Sequence, residues 1–297
     1  MEIEKLEWEH FVLLGIIGIA IVGVIGLNSS VNNISSKGKT AEIKINGIIG
    51  AESQLGSSST SPEQIRQLIQ EAEKDSVEAF IFEINSPGGG AVASKDMAEY
   101  IGEIEKPTAC LLGEVAASGG YWASSDCDHI IADELTLTGS IGVKSSYLEY
   151  TGLLEKLGIQ YVNITAGRYK DIGSPFENIT EKEKKMLKEQ IEKIHSKFIE
   201  SVAENRNMSK EKVKKYAKGQ TFLGEKADEI GLIDETGGRK EVMEYLENRT
   251  EQELKTKEYQ PEKTFNFLSL ISQQIGVGIG KALTSVEKNR GIEALYR

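Results

Sequence analysis

Short apolar runs alternate along this chain with stretches whose apolar positions recur every three or four residues. Thr40 to Ile49 alternates at a period of two and predicts a strand. A polar loop, Gly56 to Ser61, follows. Ser61 as N-cap, Pro62 in the first turn and Gln64 three positions after Ser61 form a capping box that starts a helix. Ile65, Leu68, Ile69 and Ala72 give that helix one apolar face. Val77 to Ile84 predicts a second strand, which runs into Asn85-Ser86-Pro87-Gly88-Gly89-Gly90, a loop with almost no side-chain bulk. The pattern then predicts a helix from about Val92 to Ile104 and strands at Thr108–Leu112, His129–Ala132, Ile141–Val143 and Tyr161–Ile164. Thr180 and Glu183 make a second capping box. Leu187, Ile191, Ile194, Phe198 and Val202 follow as a helical stripe, which reads as core packing. Alternating strands and helices argue for an α/β domain of βαβ-type units.

Two regions depart from this pattern. Phe11 to Leu27 is a 17-residue run without charge, about 26 Å long as a helix, at the short end for crossing a bilayer. No basic segment precedes it and no A-x-A site follows, so an uncleaved anchor is a better reading than a signal peptide. Beyond Thr250 the chain turns polar, except for a moderately apolar stretch from Phe265 to Leu283 that could lie on a partner or a membrane surface. The expected organisation is a tail (1–10), an anchor (11–27), a tether (28–38), one catalytic domain (39–250) and a C-terminal extension (251–297).

Charge narrows the possible partners. The 297-residue chain carries a net charge of −11 and its basic residues form no block, so nucleic acid is an unfavourable partner. The lysines flanking the apolar run orient it poorly. Six N-x-S/T sequons after it, at Asn28, Asn33, Asn163, Asn178, Asn207 and Asn248, favour an outward-facing domain in a glycosylating host. The two cysteines, Cys110 and Cys127, are too few for a disulfide framework or a metal site, and Cys110 reads as a buried free thiol in a strand. His10, His129 and His195 are scattered and form no ligand cluster.

Candidate chemistry centres on Gly113 to Trp122. Ser118 stands between Ala116-Ala117 and Gly119-Gly120, where an apolar strand gives way to a helix. A serine at such a corner lies at a helix N-terminus, with backbone N–H groups aimed at whatever the hydroxyl attacks. The same residue could simply cap the helix. A nucleophilic serine needs a base. His129 follows by 11 residues. A lysine also serves where burial keeps its amine neutral; Lys170, in Gly167-Arg168-Tyr169-Lys170-Asp171, and Lys144 are equally placed by spacing alone.

Four segments, in this order, resemble the Ser–Lys membrane peptidases of the signal peptide peptidase SppA type. They are Asn85-Ser86-Pro87-Gly88-Gly89-Gly90, Ala116-Ala117-Ser118-Gly119-Gly120-Tyr121, Leu137-Thr138-Gly139-Ser140-Ile141-Gly142-Val143 and Gly167-Arg168-Tyr169-Lys170-Asp171. A weaker match runs from Gly219 to Asp234, and the likeness covers roughly residues 40–245. The resemblance implies a ClpP/crotonase-like α/β fold of repeated β-β-α units with an N-terminal transmembrane helix. It implies Ser118 as nucleophile, Lys170 as general base, Gly88 and Gly119 as oxyanion donors and Ser140 as the partner that orients Lys170. It implies no metal or other cofactor. Its substrates would be signal peptides or other apolar extended peptides, its surroundings a lipid bilayer reached through residues 11–27. Single-domain members assemble as dome-like homo-oligomeric rings, some completing each site across a subunit boundary. Other readings of the same residues are a crotonase-type acyl-CoA hydratase or isomerase, a non-catalytic membrane scaffold, and a His129-dependent peptidase.

Overall fold

A computed structural model describes residues 37–50 and 59–261. The expected anchor and the Phe265–Leu283 segment lie outside them. Among the described residues no helix is long and apolar enough to cross a membrane.

The strands are β1 (Gly38–Ile49), β2 (Ser59–Thr60), β3 (Ala79–Gly89), β4 (Thr108–Ala117), β5 (His129–Ala132), β6 (Leu137–Gly139), β7 (Thr221–Leu223), β8 (Glu235–Thr236) and β9 (Leu254–Tyr259). The helices are α1 (Pro62–Lys74), α2 (Ala91–Gly102), α3 (Gly119–Ser124), α4 (Thr151–Leu157), α5 (Glu181–Asn205), α6 (Lys210–Tyr216), α7 (Gly224–Ile230) and α8 (Arg239–Thr250). One sheet runs in the order β2-β1-β3-β4-β5-β8, with β9 also on β1 and β6 on both β4 and β7. All of these pairs are parallel except β6–β7.

Both faces of the sheet are covered, as a largely parallel sheet requires. Phe80, Phe82 and Ile84 point to one face, where they pack with Ile65, Leu68 and Ile69 of α1, Met97 and Ile101 of α2 and Tyr121 of α3. Ala79 and Ile81 point to the other face and meet Val242 and Leu246 of α8. That double burial explains why Val77 to Ile84 reads as an unbroken apolar run and not an alternating one. Both expected capping boxes form: Ser61 with Gln64 and Thr180 with Glu183.

The long strands bend where the site lies. β1 against β3 shifts register between Asn46 and Ile48, and β3 against β4 between Ile84 and Ser86. The first part of β4, Ala109 to Leu112, pairs with β5, and its last part, Val115 to Ala117, pairs with β6. Each long strand therefore serves two sets of neighbours, and the bend lets its C-terminal end rise out of the main sheet.

Four sequence expectations change. Ile141–Val143 is not a strand; the ladder forms four residues earlier, at Leu137–Gly139, where β4 supplies a partner. Tyr161–Ile164 has β propensity but no strand beside it, and Val162 and Ile164 are exposed. The sheet also takes in β9 beyond residue 250, because Leu254 to Tyr259 finds a free edge along Gly38 to Ile43. Finally, Cys110 is not a free thiol: it is bonded to Cys127, with Cα atoms 5.9 Å apart. A spacing of 17 residues gives no sign that the turn after α3 folds back onto β4.

Candidate active site

Ser118 occupies the corner between β4 and α3, as the N-cap of that helix but with no side-chain cap bond. Its backbone has φ 54° and ψ −119°, a region that costs a non-glycine residue of order 1–3 kcal/mol and needs its surroundings to hold it. Those surroundings are specific. The Ser118 N–H donates to the Gly139 carbonyl at 2.8 Å. Asn85 Oδ1 accepts the Val115 N–H at 3.2 Å across the bend in β4. The Thr138 hydroxyl donates to the Ala116 carbonyl at 2.7 Å. On the far side, the Trp122 indole stacks on Phe198 with ring centroids 4.3 Å apart and donates to Ser201 Oγ at 2.9 Å. Together these bonds tie α3 both to the sheet and to α5.

Two glycines press on the serine. A Cβ added at Gly88, where φ is +98°, would sit 2.6 Å from the Gly119 nitrogen and 3.0 Å from Ser118 Cβ. Neither that φ nor that approach admits another residue. A Cβ at Gly119 would sit 2.1 Å from Ser94 Oγ. The turn through Gly88 thus lies directly against the Ser118–Gly119 peptide. The Gly88 N–H is engaged: it donates to Ser86 Oγ at 3.1 Å, and Ser86 Oγ donates in turn to the Gly47 carbonyl at 2.6 Å. Asn85, Ser86 and Ser94 are the site residues that sequence reasoning left without a role. Asn85 and Ser86 stand inside a motif already singled out; Ser94 gives no local signal.

The lysine side is built differently. Lys170 lies in a turn in which its N–H donates to the Gly167 carbonyl at 3.1 Å, and its side chain is exposed. Among the described residues it shares no hydrogen bond with Ser118 or Ser140. The Ser140 hydroxyl donates instead to the Gly219 carbonyl at 3.3 Å. Lys144 is exposed too. The structure therefore brings together Ser118, Gly88 and Gly119, and leaves Lys170 exposed on an arm of the chain, residues 144–178, in which no residue is buried.

His129 stands at the other end of the strand. It pairs with Ala109, nine residues before Ser118, on the order of 30 Å of extended chain. Its ring stacks on Tyr245 with centroids 4.1 Å apart, and Nε2 lies 3.2 Å from the Glu235 carboxylate. It is a structural residue that cannot serve Ser118. His195 lies in α5, half-buried, with no part in this site.

Comparison with known proteins shows the family and the fold. The model of peptidase family S49 matches residues 101–253. A protein of Methanocaldococcus jannaschii, named as a candidate protease, is 34% identical over 295 residues and 94% of both chains. A candidate signal peptide peptidase SppA of Enterococcus faecium is 37% identical over 71% of this chain and 64% of its own. Protease 4 of Haemophilus influenzae is 34% identical over 72% of this chain but only 35% of its own. Among solved structures, a mutant of the 1510-N membrane-bound stomatin-specific protease in complex with a substrate peptide shares the fold. Its TM-score is 0.51 at 18% identity, over 80% of this chain and 99% of that one.

Proposed function

The chain belongs to peptidase family S49, and from that membership we propose that Ser118 and Lys170 form a serine–lysine dyad that cleaves extended apolar peptides at a membrane. The observation that carries this is the strained Ser118, fixed from both sides with Gly88 and Gly119 against it. Such a corner exposes one hydroxyl beside backbone amides and leaves room for a substrate backbone. The ClpP/crotonase-type architecture is part of the same reading. It is supported by long strands that each pair twice before a helix. Family membership sets aside the acyl-CoA and scaffold readings.

In the reaction, Ser118 Oγ attacks the peptide carbonyl carbon while Lys170 Nζ takes the hydroxyl proton. Negative charge gathers on the carbonyl oxygen, where the Gly119 N–H and the N–H that Gly88 now lends to Ser86 would receive it. One such donor is worth about 10²–10³ in rate. The C–N bond breaks, the leaving amine takes the proton from Lys170, and an acyl-enzyme remains. Lys170 then takes a proton from a water, which attacks the ester carbonyl; the C–O bond breaks, Lys170 returns the proton to Ser118 Oγ, and the acid product leaves.

A lysine amine in water is protonated and cannot accept that proton. The Lys170 arm therefore needs a cover, and a second copy of the chain is the natural one. Between residues 144 and 178 no side chain is buried, yet Leu148, Leu153, Leu157, Val162 and Ile164 are apolar and mostly exposed, Ile164 at 93%. A contiguous apolar arm of this kind marks an interface. In the assembled ring, the arm of one subunit carries Lys170 to the Ser118 of its neighbour, with Ser140 orienting the amine. Mixing two inactive variants, Ser118→Ala and Lys170→Ala, tests this. Peptidase activity should return on co-assembly, and a mixture that stays inactive would show that the dyad does not cross subunits.

The Cys110–Cys127 bond supports an extracytoplasmic catalytic domain, since such bonds persist in oxidising compartments. Residues 11–27 would hold it at the membrane, and remnant signal peptides are the substrates that location offers.

A further inference from the structure

The disulfide has a place in the site as well as in the core. Cys110 lies on β4 eight residues before Ser118, and Cys127 follows Ser118 by nine, in the turn after α3. The bond therefore closes a covalent ring whose midpoint is the nucleophile. Within that ring lie the end of β4, the positive-φ corner and the whole of α3. The helix has only six residues, far below the length at which a helix holds itself. Both cysteines are buried, at 0% and 3% exposure. Beside them, the Asp128 carboxylate accepts the Thr108 N–H at 2.8 Å and the Thr108 hydroxyl at 3.1 Å, making a second clasp across the same neck.

We propose that the Cys110–Cys127 disulfide is a positioning device for catalysis: it fixes the downstream end of α3 to β4, so that the Ser118 corner keeps its unfavourable backbone and its hydroxyl stays aimed. This rests on Ser118 being the nucleophile. The ladder secures the corner from the β4 side, through Ala117 to Gly139 and the Ser118 N–H to Gly139. On the α3 side, packing, the hydrogen bonds to α5 and the two clasps at the neck do the holding. Without the disulfide, α3 loses its covalent tie to β4 at the downstream end, and the corner at its other end is held from the β4 side and by packing and hydrogen bonds alone.

The test uses the full chain in its oligomeric form, oxidised or reduced with a phosphine, the thiol state being checked by alkylation and mass spectrometry. A Cys110→Ala/Cys127→Ala double variant runs beside it. The first readout is the rate at which a β-lactone probe, opened by the Ser118 hydroxyl, acylates Ser118, with Ser118→Ala as control. The second is kcat and KM on a peptide, below the Tm of every form. Loss of the bond should slow acylation and kcat at least tenfold, with KM within about twofold and far-UV circular dichroism unchanged. Restoring the bond in the reduced wild type by mild reoxidation should restore the rate. Acylation within twofold of the oxidised enzyme in a folded, bond-free form would overturn the proposal. Collapse of the fold in both bond-free forms would overturn it too, because the bond would then be supporting the core in general. If the oxidised wild type itself is not labelled at Ser118, the failure lies in the assignment of the nucleophile.

Discussion

From Ala116 to Ser125 every residue except the half-buried Ser118 is buried, whereas from residue 144 to 178 none is. The first region is held by β-ladders, a disulfide, an indole stack and side-chain hydrogen bonds to the backbone. The second has one two-turn helix, α4, with no buried residue, and a few ring contacts of its own, such as Tyr161 with Phe176 at 5.0 Å. The two halves of the proposed dyad thus sit in different physical regimes. A nucleophile on a strained corner needs rigidity that a single chain supplies. A neutral amine needs dryness, which this arm lacks until something covers it. On the proposed reading activity depends on assembly, and an isolated subunit would carry a ready hydroxyl without a base.

The sharpest way to break this comparison is to remove either reacting group. Ser118→Ala and Lys170→Ala should each lower kcat by at least roughly a thousand-fold while thermal melts stay within a degree or two. A large loss of Tm in Lys170→Ala would mean that the arm is structural. Next comes Gly119→Ala, whose methyl would meet Ser94 Oγ at 2.1 Å. It should cost about a hundred-fold in kcat and also lower Tm, while the paired change Gly119→Ala/Ser94→Gly should recover the Tm and only part of the rate.

Charging the arm tests the other side. Ile164→Glu alters a side chain that is 93% exposed in one subunit. It should leave subunit stability unchanged, shift the sedimentation profile toward smaller species and reduce activity in proportion. An unchanged assembly would rule out this part of the arm as interface.

Two smaller effects belong to regions away from the site. Glu42, almost fully buried in β1, holds the Arg239 guanidinium at the start of α8 by two bonds of 2.6 Å. Arg239 keeps the Glu42 carboxyl below its usual range, against the opposing effect of burial. Because Arg239 is about half exposed, Arg239→Ala should destabilise by roughly 1–3 kcal/mol, with kcat per folded subunit unaltered. Asp126, in the turn between α3 and β5, is pushed up to about 6, first by burial and then by Glu204 and Glu99. In the unfolded chain it releases its proton near pH 4. The folded state therefore holds the proton more tightly, and stability present below about pH 4 is lost as pH rises to about 6. After allowance for its partial exposure this amounts to about 1 kcal/mol. Asp126→Asn should gain that amount at pH 7 and nothing at pH 4, read from melts at the two pH values. Last, His129→Ala should leave the pH profile of kcat unchanged, because His129 sits among Asp234, Glu235 and Tyr245.

How much of this the chain announces depends on range. Ser61 with Gln64 and Thr180 with Glu183 cap their helices through contacts three residues apart, so the pattern alone is enough. The strand–corner–helix at Ser118 is local in the same way, and the order of the glycine and serine motifs along the chain identifies the peptidase family before any coordinate is known. Only the tertiary structure decides the rest. It places β6 at Leu137–Gly139, because the end of β4 is the available partner there. It leaves Tyr161–Ile164 without a strand beside it, and it bonds Cys110 to Cys127 across 17 residues. It leaves Lys170 exposed in the single chain. Propensity and capping act over one helical turn, whereas pairing, cross-linking and desolvation depend on which distant segments the fold brings together.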